Sequence, residues 1–160
     1  MKNVFVALFA GGLALMAQGP VPRPAPELKI GAQMLSSWRG HVVLLGFIST
    51  QCPHCQRASV VFEQLSREFP KLQVAEVAFN EGADTAAFSR RFSLSFPVGT
   101  SADDQARDFL GIARGARLGT PQVVAIDKTG VIRAQSERVG SPLLQTHDFL
   151  RDLLTAMEAR

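Results

Sequence analysis

Val42-Val43-Leu44-Leu45-Gly46-Phe47-Ile48-Ser49-Thr50-Gln51-Cys52-Pro53-His54-Cys55 is the stretch whose reading decides the fold. From His41 to Ile48 the chain is almost continuously apolar, without polar alternation, as expected of a central parallel strand covered on both faces. Five residues later the pattern changes. From Pro53 to Phe69 the apolar positions Ala58, Val61, Phe62, Leu65 and Phe69 fall at helical spacing, and Pro70 ends the run. A strand therefore feeds directly into a helix, and the junction carries both cysteines of the chain, Cys52 and Cys55.

Two effects act on the sulfurs there. The first turn of a helix leaves N–H groups free and carries a partial positive charge, so it favours an anion. A thiol at such a place ionises at about pH 3.5–7.5 rather than near 8.5. Cys52 is thus the candidate nucleophile, and Cys55, one helical turn on, is close enough to form a disulfide with it. Pro53 suits a first helical turn, where its missing N–H is not needed. His54 is expected as a cation that further favours the Cys52 thiolate. A stabilised thiolate stabilises the dithiol form and makes the disulfide a better oxidant. Other readings of the pair are a plain structural disulfide, two inert buried thiols, or a metal site. The metal reading has only His54 nearby, with His41 and His147 distant in sequence.

Working outward, Leu72 to Phe79 is a second strand candidate, and Asp84 is placed to cap a helix reaching Phe92. Phe96-Pro97-Val98 reads as a short extended piece. Ser101 with Asp104 resembles a capping box opening a helix to Leu110. Gln122 to Asp127 and Val131 to Gln135 form a hairpin about the Asp127–Gly130 turn. Ser141-Pro142 is expected to start a last helix, whose apolar face is Leu143, Leu144, Phe149, Leu150, Leu153, Leu154 and Met157. This order belongs to an α/β protein: a three-layer sandwich with a mixed central β-sheet flanked by helices.

The N-terminus reads as an address. Met1-Lys2-Asn3 precedes an apolar run from Val4 to Met16 and then Ala17-Gln18-Gly19, the layout of a secretory signal over residues 1–17. Leu15 stands where a small residue is preferred for cleavage, so an uncleaved anchor, with residues 4–17 as a membrane tether, and a buried core helix remain open. The run falls short of the roughly 20 residues of a comfortable span. Gln18 to Pro26, with prolines at 20, 22, 24 and 26, reads as an extended, stiff linker, leaving residues 27–160 as the domain. A periplasmic or other extracytoplasmic location follows, where disulfides persist.

Composition narrows the function classes. The chain has 160 residues, of which 46% are hydrophobic and 19% charged, with a net charge of +3. One folded domain is expected, not a disordered chain. The basic residues are scattered, so nucleic acid is not implied. One apolar stretch excludes a polytopic membrane protein, and two cysteines exclude a disulfide-rich scaffold. No motif for a nucleotide or a flavin stands in the chain.

The strand-to-CPHC stretch, the helix after it, Gly119-Thr120-Pro121 before a strand, and the Asp-x-x-Gly hairpin together resemble the thioredoxin superfamily, in particular its Redoxin/TlpA-like branch of exported thiol-disulfide oxidoreductases. The likeness runs from Glu27 to Arg160. Gly40-His41-Val42-Val43-Leu44 is similar to that branch's lead-in, and the CPHC tetrapeptide to that of the periplasmic oxidant DsbA. The resemblance implies Cys52 as attacking and Cys55 as resolving cysteine. It also implies Thr120-Pro121 as a cis-proline loop whose backbone pairs with extended substrate. Partners are then protein thiols and disulfides and a redox partner protein, with no organic cofactor. The direction of electron flow stays open: His54 favours oxidation of secreted thiols, the TlpA-like body favours reduction. A binding or chaperone module with a static disulfide is the alternative.

Two departures qualify the resemblance. Six residues before the first cysteine, where thioredoxin carries a buried Asp and DsbA a Glu, this chain has Gly46. Glu76, among Val74, Val77 and Ala78, is a candidate substitute, since a carboxyl in a dry strand has a raised pKa and serves as a proton acceptor. A strand-edge Glu in water is the other reading. Peroxiredoxins resemble P-x-x-x-T-x-x-C at their cysteine; Ser49 fits the hydroxyl position but Leu45 stands where proline should, which argues against thiol peroxidase activity.

Overall fold

The computed structural model describes residues 21–160; the basic start, the apolar run and residues 18–20 lie outside them. The elements run β1 (Arg23–Pro24), β2 (Lys29–Ile30), β3 (Gln33–Met34), β4 (Val43–Ile48), α1 (Pro53–Glu68), β5 (Gln73–Ala78), α2 (Thr85–Phe92), β6 (Val98–Thr100), α3 (Asp103–Leu110), β7 (Gln122–Ile126), β8 (Val131–Gln135) and α4 (His147–Glu158). Six of the strands form one mixed sheet in the order β1-β8-β7-β4-β5-β6. β4, β5 and β6 are parallel, and β7, β8 and β1 continue the sheet antiparallel.

Every residue of β4 is buried, as its unbroken apolar run requires. Alternate side chains serve two cores. Val43, Leu45 and Phe47 pack with Val124, Ile126, Ile132, Trp38 and the inner face of α3 (Ala106, Phe109, Leu110). Val42 and Leu44 pack with Val123, Ala125, Phe62 and Leu65 of α1, and Leu150, Leu154 and Met157 of α4. The result is the three-layer α/β sandwich, helices over both faces of a mixed sheet.

Local signals set several boundaries. Asp84 caps α2, its carboxylate accepting from the Ala87 N–H at 2.8 Å. The Asp127 carboxylate shapes the β7–β8 turn by accepting from the N–H groups of Thr129 and Val131.

Three segments depart from the sequence expectation. The capping box of Ser101 and Asp104 does not form: Ser101, just past β6, is tied to β5, its N–H donating to Ala78 O at 3.0 Å, and Ala102 is the residue at the N-cap of α3. Ser141-Pro142 opens only a 3-10 turn at Leu143–Gln145; Thr146 is extended, and α4 starts at His147. The inward face is accordingly narrower, with Leu143 and Phe149 exposed. In the alternate-proline stretch, Arg23 and Pro24 pair with Ile132 and Val131 of β8, and Ala25 N–H reaches Gly130 O at 2.9 Å. Proline suits this place, because an edge strand needs no inward donor at every residue.

Candidate active site at the start of the first long helix

The central strand β4 delivers the chain to the C-terminal end of the parallel strands, and α1 begins after a short loop. Cys52 is the N-cap residue, extended at φ −82° and ψ 119°, with Pro53 in the first turn. Two backbone bonds fix the junction, Cys52 N–H to Ser49 O at 3.1 Å and Gln56 N–H to Cys52 O at 3.0 Å. Asn80, just past β5, accepts from the Thr50 N–H at 3.0 Å, and the Gln56 side-chain amide donates to Thr50 O at 3.1 Å. The loop that aims Cys52 is therefore held from both neighbouring elements.

The two thiols, both free, meet different surroundings. Cys52 is partly exposed, while Cys55 is fully buried against Ile48, Ala78 and Phe88. Burial alone would raise the Cys52 thiol, but the Cys55 N–H, the Thr120 side chain, the Cys55 thiol and the His54 N–H outweigh it and hold its pKa below the usual value. Cys55 is pushed up to about 12, chiefly by burial and further by the neighbouring Cys52, against a 3.4 Å bond from the Ser49 N–H. The surroundings of one sulfur favour its ionised form and those of the other its neutral form.

Facing Cys52 is the Thr120–Pro121 peptide, which is cis. The Cys52 thiol lies 3.8 Å from the Thr120 carbonyl oxygen. The loop is braced from behind: Gly119 N–H donates to Arg138 O at 2.8 Å, and the buried Gln122 amide donates to Gly119 O at 2.8 Å and Glu137 O at 3.0 Å. Gly119 has to be glycine, since a Cβ there would stand 2.4 Å from Val139 O.

His54 and Arg57 are both exposed one turn apart on α1. Arg57 Nη2 lies 2.9 Å from His54 Nδ1. A guanidinium only donates, so Nδ1 is the acceptor and the ring proton sits on Nε2. Arg57 thus adds a permanent positive charge over this turn, beside the histidine named from sequence. Beside it, Pro53, Gln56, Arg57, Val60 and Phe92 line an open groove of about 320 Å³.

Glu76 is fully buried in the middle of β5, which removes the reading of a strand-edge carboxylate in water. It is paired in register with Gly46 of β4. A Cβ on Gly46 would stand 3.1 Å from Glu76 Cγ and 3.0 Å from the Phe62 ring. The carboxyl therefore fills the space next to the position where the related folds carry their acid. Burial drives its pKa up to about 8, opposed only by a bond from Ser59. Ser59 Oγ lies 2.8 and 2.9 Å from the two Glu76 oxygens and 2.9 Å from Cys55 O.

The structure thus gathers Cys52, Pro53, His54, Cys55, Thr120 and Pro121 at one end of the sheet, with Glu76 beneath, joined to the Cys55 turn through Ser59. Sequence reading missed Ser59, Arg57, Asn80 and Gln122. For Ser59 a signal was available: a small polar residue four after Cys55, on the apolar side of α1.

The Redoxin family pattern matches residues 23–149. Among curated relatives, ResA thiol-disulfide oxidoreductases from Geobacillus kaustophilus and Geobacillus thermodenitrificans are each 29% identical, over 67% and 62% of this chain. The matched regions span 60% and 56% of those relatives' own lengths. A solved thioredoxin-family thiol:disulfide interchange protein from Chlorobium tepidum superposes with a TM-score of 0.71 at 20% identity, covering 85% of this chain and 96% of that one. That likeness carries the fold: a thioredoxin-like sandwich. By the extent of the matched pattern, this chain belongs to the Redoxin family.

Proposed function

We propose that this protein is an exported thiol-disulfide oxidoreductase that exchanges disulfides with protein substrates. The observation that carries the reading is the division of labour between two thiols one helical turn apart, Cys52 held below the usual thiol range and Cys55 buried and pushed up to about 12.

The geometry gives each residue a role. In the reductive direction the Cys52 thiolate attacks a substrate disulfide, forming a mixed disulfide and releasing one substrate thiolate. Cys55 then loses its proton and attacks Cys52 Sγ. The Cys52–Cys55 disulfide forms, the second substrate thiolate leaves, and two electrons have passed to substrate. The oxidative direction runs the same steps in reverse. Glu76 is the proton acceptor for Cys55, and Pro53 starts the helix at the right residue. His54 contributes its backbone N–H to the Cys52 thiolate. Thr120 and Pro121 present backbone to an extended substrate strand, and the groove beside Cys52 receives one of its side chains. Residues 1–17 direct export, and a second protein restores the redox state of the pair.

Reduction of insulin by a thiol donor, with Cys52→Ser as control, tests the reading. Wild-type turnover with the variant at background is expected; equal rates would overturn it. The potential of the couple assigns direction: a value near about −270 mV fits reductase duty and one near about −120 mV oxidase duty.

A further inference from the structure

Ser59 has one hydroxyl hydrogen and three acceptors within reach of it, both oxygens of Glu76 and the Cys55 carbonyl. It sits fully buried one turn below Cys55, in the contact between α1 and β5. The hydrogen cannot serve all three, so its direction follows the charge on Glu76. When the carboxyl is protonated, Glu76 donates to Ser59 Oγ and Ser59 donates to Cys55 O. When it is ionised, Ser59 turns its hydrogen to the carboxylate.

Among the described residues, no formal charge from a packed element competes for Glu76. β4 places Gly46 opposite it, β6 places Val98 beside it, and the same side of β5 carries Val74 and Ala78. α2 and α4 turn Phe88, Leu150 and Leu154 inward. Of the titratable groups on α1, only Cys55 above and Glu63 below are buried, while His54, Arg57, Arg67 and Glu68 are exposed; Glu63 is already held by Arg67 Nε at 2.9 Å and the Ser95 N–H at 2.7 Å. Ser59 is the hydrogen-bond partner of the Glu76 carboxyl among the described residues.

We propose that Ser59 is a positioning residue, whose single hydroxyl hydrogen sets how readily Glu76 holds a proton and so the pH at which Cys55 is freed to attack Cys52. The inference rests on the exchange reaction proposed above. The step it controls is balanced: the Cys55 thiol proton passes to the Glu76 carboxylate, the Cys55 sulfur forms the bond to Cys52 Sγ, and the Cys52–substrate bond breaks with release of a substrate thiolate. A hydrogen bond to an ionised group is the kind worth more than a neutral one. Its loss raises the proton affinity of Glu76 about tenfold, one pH unit.

The test compares wild type, Ser59→Ala, Glu76→Gln and the double variant in the full chain. Alanine is a good mid-helix residue and removes only the hydroxyl. Two readouts are taken: the titration of the Glu76 carboxyl by 13C NMR, and the pH midpoint of single-turnover reduction of glutathione disulfide. The proposal expects Ser59→Ala to move both upward by about one unit, and the double variant to match Glu76→Gln alone. An unmoved Glu76 titration overturns it. So does a moved titration with an unmoved rate profile, or a further shift from Ser59→Ala when Glu76 is already glutamine. Failure of wild type to reduce any disulfide, with the NMR shift intact, overturns the exchange reading instead and leaves the Ser59–Glu76 coupling standing.

Discussion

Two carboxyl groups of the same sheet are driven in opposite directions. Glu76, in the middle of β5, has its pKa pushed up to about 8, while Asp127, at the end of β7, is pulled down to about 2. Burial opposes the charged form in both, and what differs is the supply of donors. Glu76 has the Ser59 hydroxyl. Asp127 has the Thr129 hydroxyl at 2.7 Å, the N–H groups of Thr129 and Val131 at 2.9 and 3.0 Å, and Arg133 Nε at 2.6 Å. A turn exposes free N–H groups to an acid placed beside it, whereas a central strand has spent its own on the sheet. The same residue chemistry thus favours the neutral carboxyl at one place and the anion at the other.

The largest expected effect breaks the buried half of the contrast. With its native pKa raised from 4.5 to about 8, Glu76 binds more protons in the folded than in the unfolded chain between those values. Stability linked to this group is therefore fully present below about pH 4.5 and falls as pH rises toward 8, by up to about 1.4 kcal/mol per pH unit. Glu76→Gln removes that dependence. Urea unfolding at pH 5 and pH 8 should show the variant gaining on wild type as the pH rises. A constant difference across that window would mean Glu76 is ionised throughout.

Asp127 provides the mirror case. Its pKa lies below the ordinary 3.8, so its contribution is fully present above that value and is lost as pH falls toward 2. Replacing it by alanine removes the acceptor that gathers the turn, with an expected loss of about 1–3 kcal/mol at pH 7. Wild type and Asp127→Ala should converge between pH 4 and 2 in acid unfolding curves. A gap that persists below pH 2 would assign the loss to turn geometry rather than to the charge.

The contrast also explains what was legible in the sequence. β4 could be read because six buried residues leave an unbroken apolar run, and α1 because its stripe repeats over four turns. The Asp84 cap and the Asp127 turn could be read because their donors lie two to four residues away. β1, β2 and β3 have two residues each, too few for any alternation, and their pairing is decided by where the chain meets β8 or folds back on itself. Thr146 breaks the last helical pattern by extending its backbone, which apolar spacing alone does not report. At the site, the cysteines are legible because an apolar strand runs straight into a helix at them, whereas the cis-proline loop is marked only by the resemblance. The Arg57–His54 bond depends on rotamers one turn apart. The roles of Asn80 and Gln122 depend on loops brought together only by the sheet.

Gly46 leaves room for the acid on the neighbouring strand. It holds open the volume that the Glu76 side chain uses, with Phe62 closing the other side. A methyl group at Gly46 meets both neighbours at 3.0–3.1 Å, and both are fully buried. Gly46→Ala should therefore destabilise the fold by about 1–3 kcal/mol, the usual range for overpacking a core. If Glu76 is the neighbour that gives way, the same substitution in a Glu76→Ala background should cost less, by about 0.5 kcal/mol or more of coupling. Chemical denaturation of the four proteins at pH 5, where Glu76 is protonated, separates this steric effect from the charge. Strict additivity would assign the crowding to Phe62 alone, and the placement of the acid on β5 would then owe nothing to the missing side chain on β4.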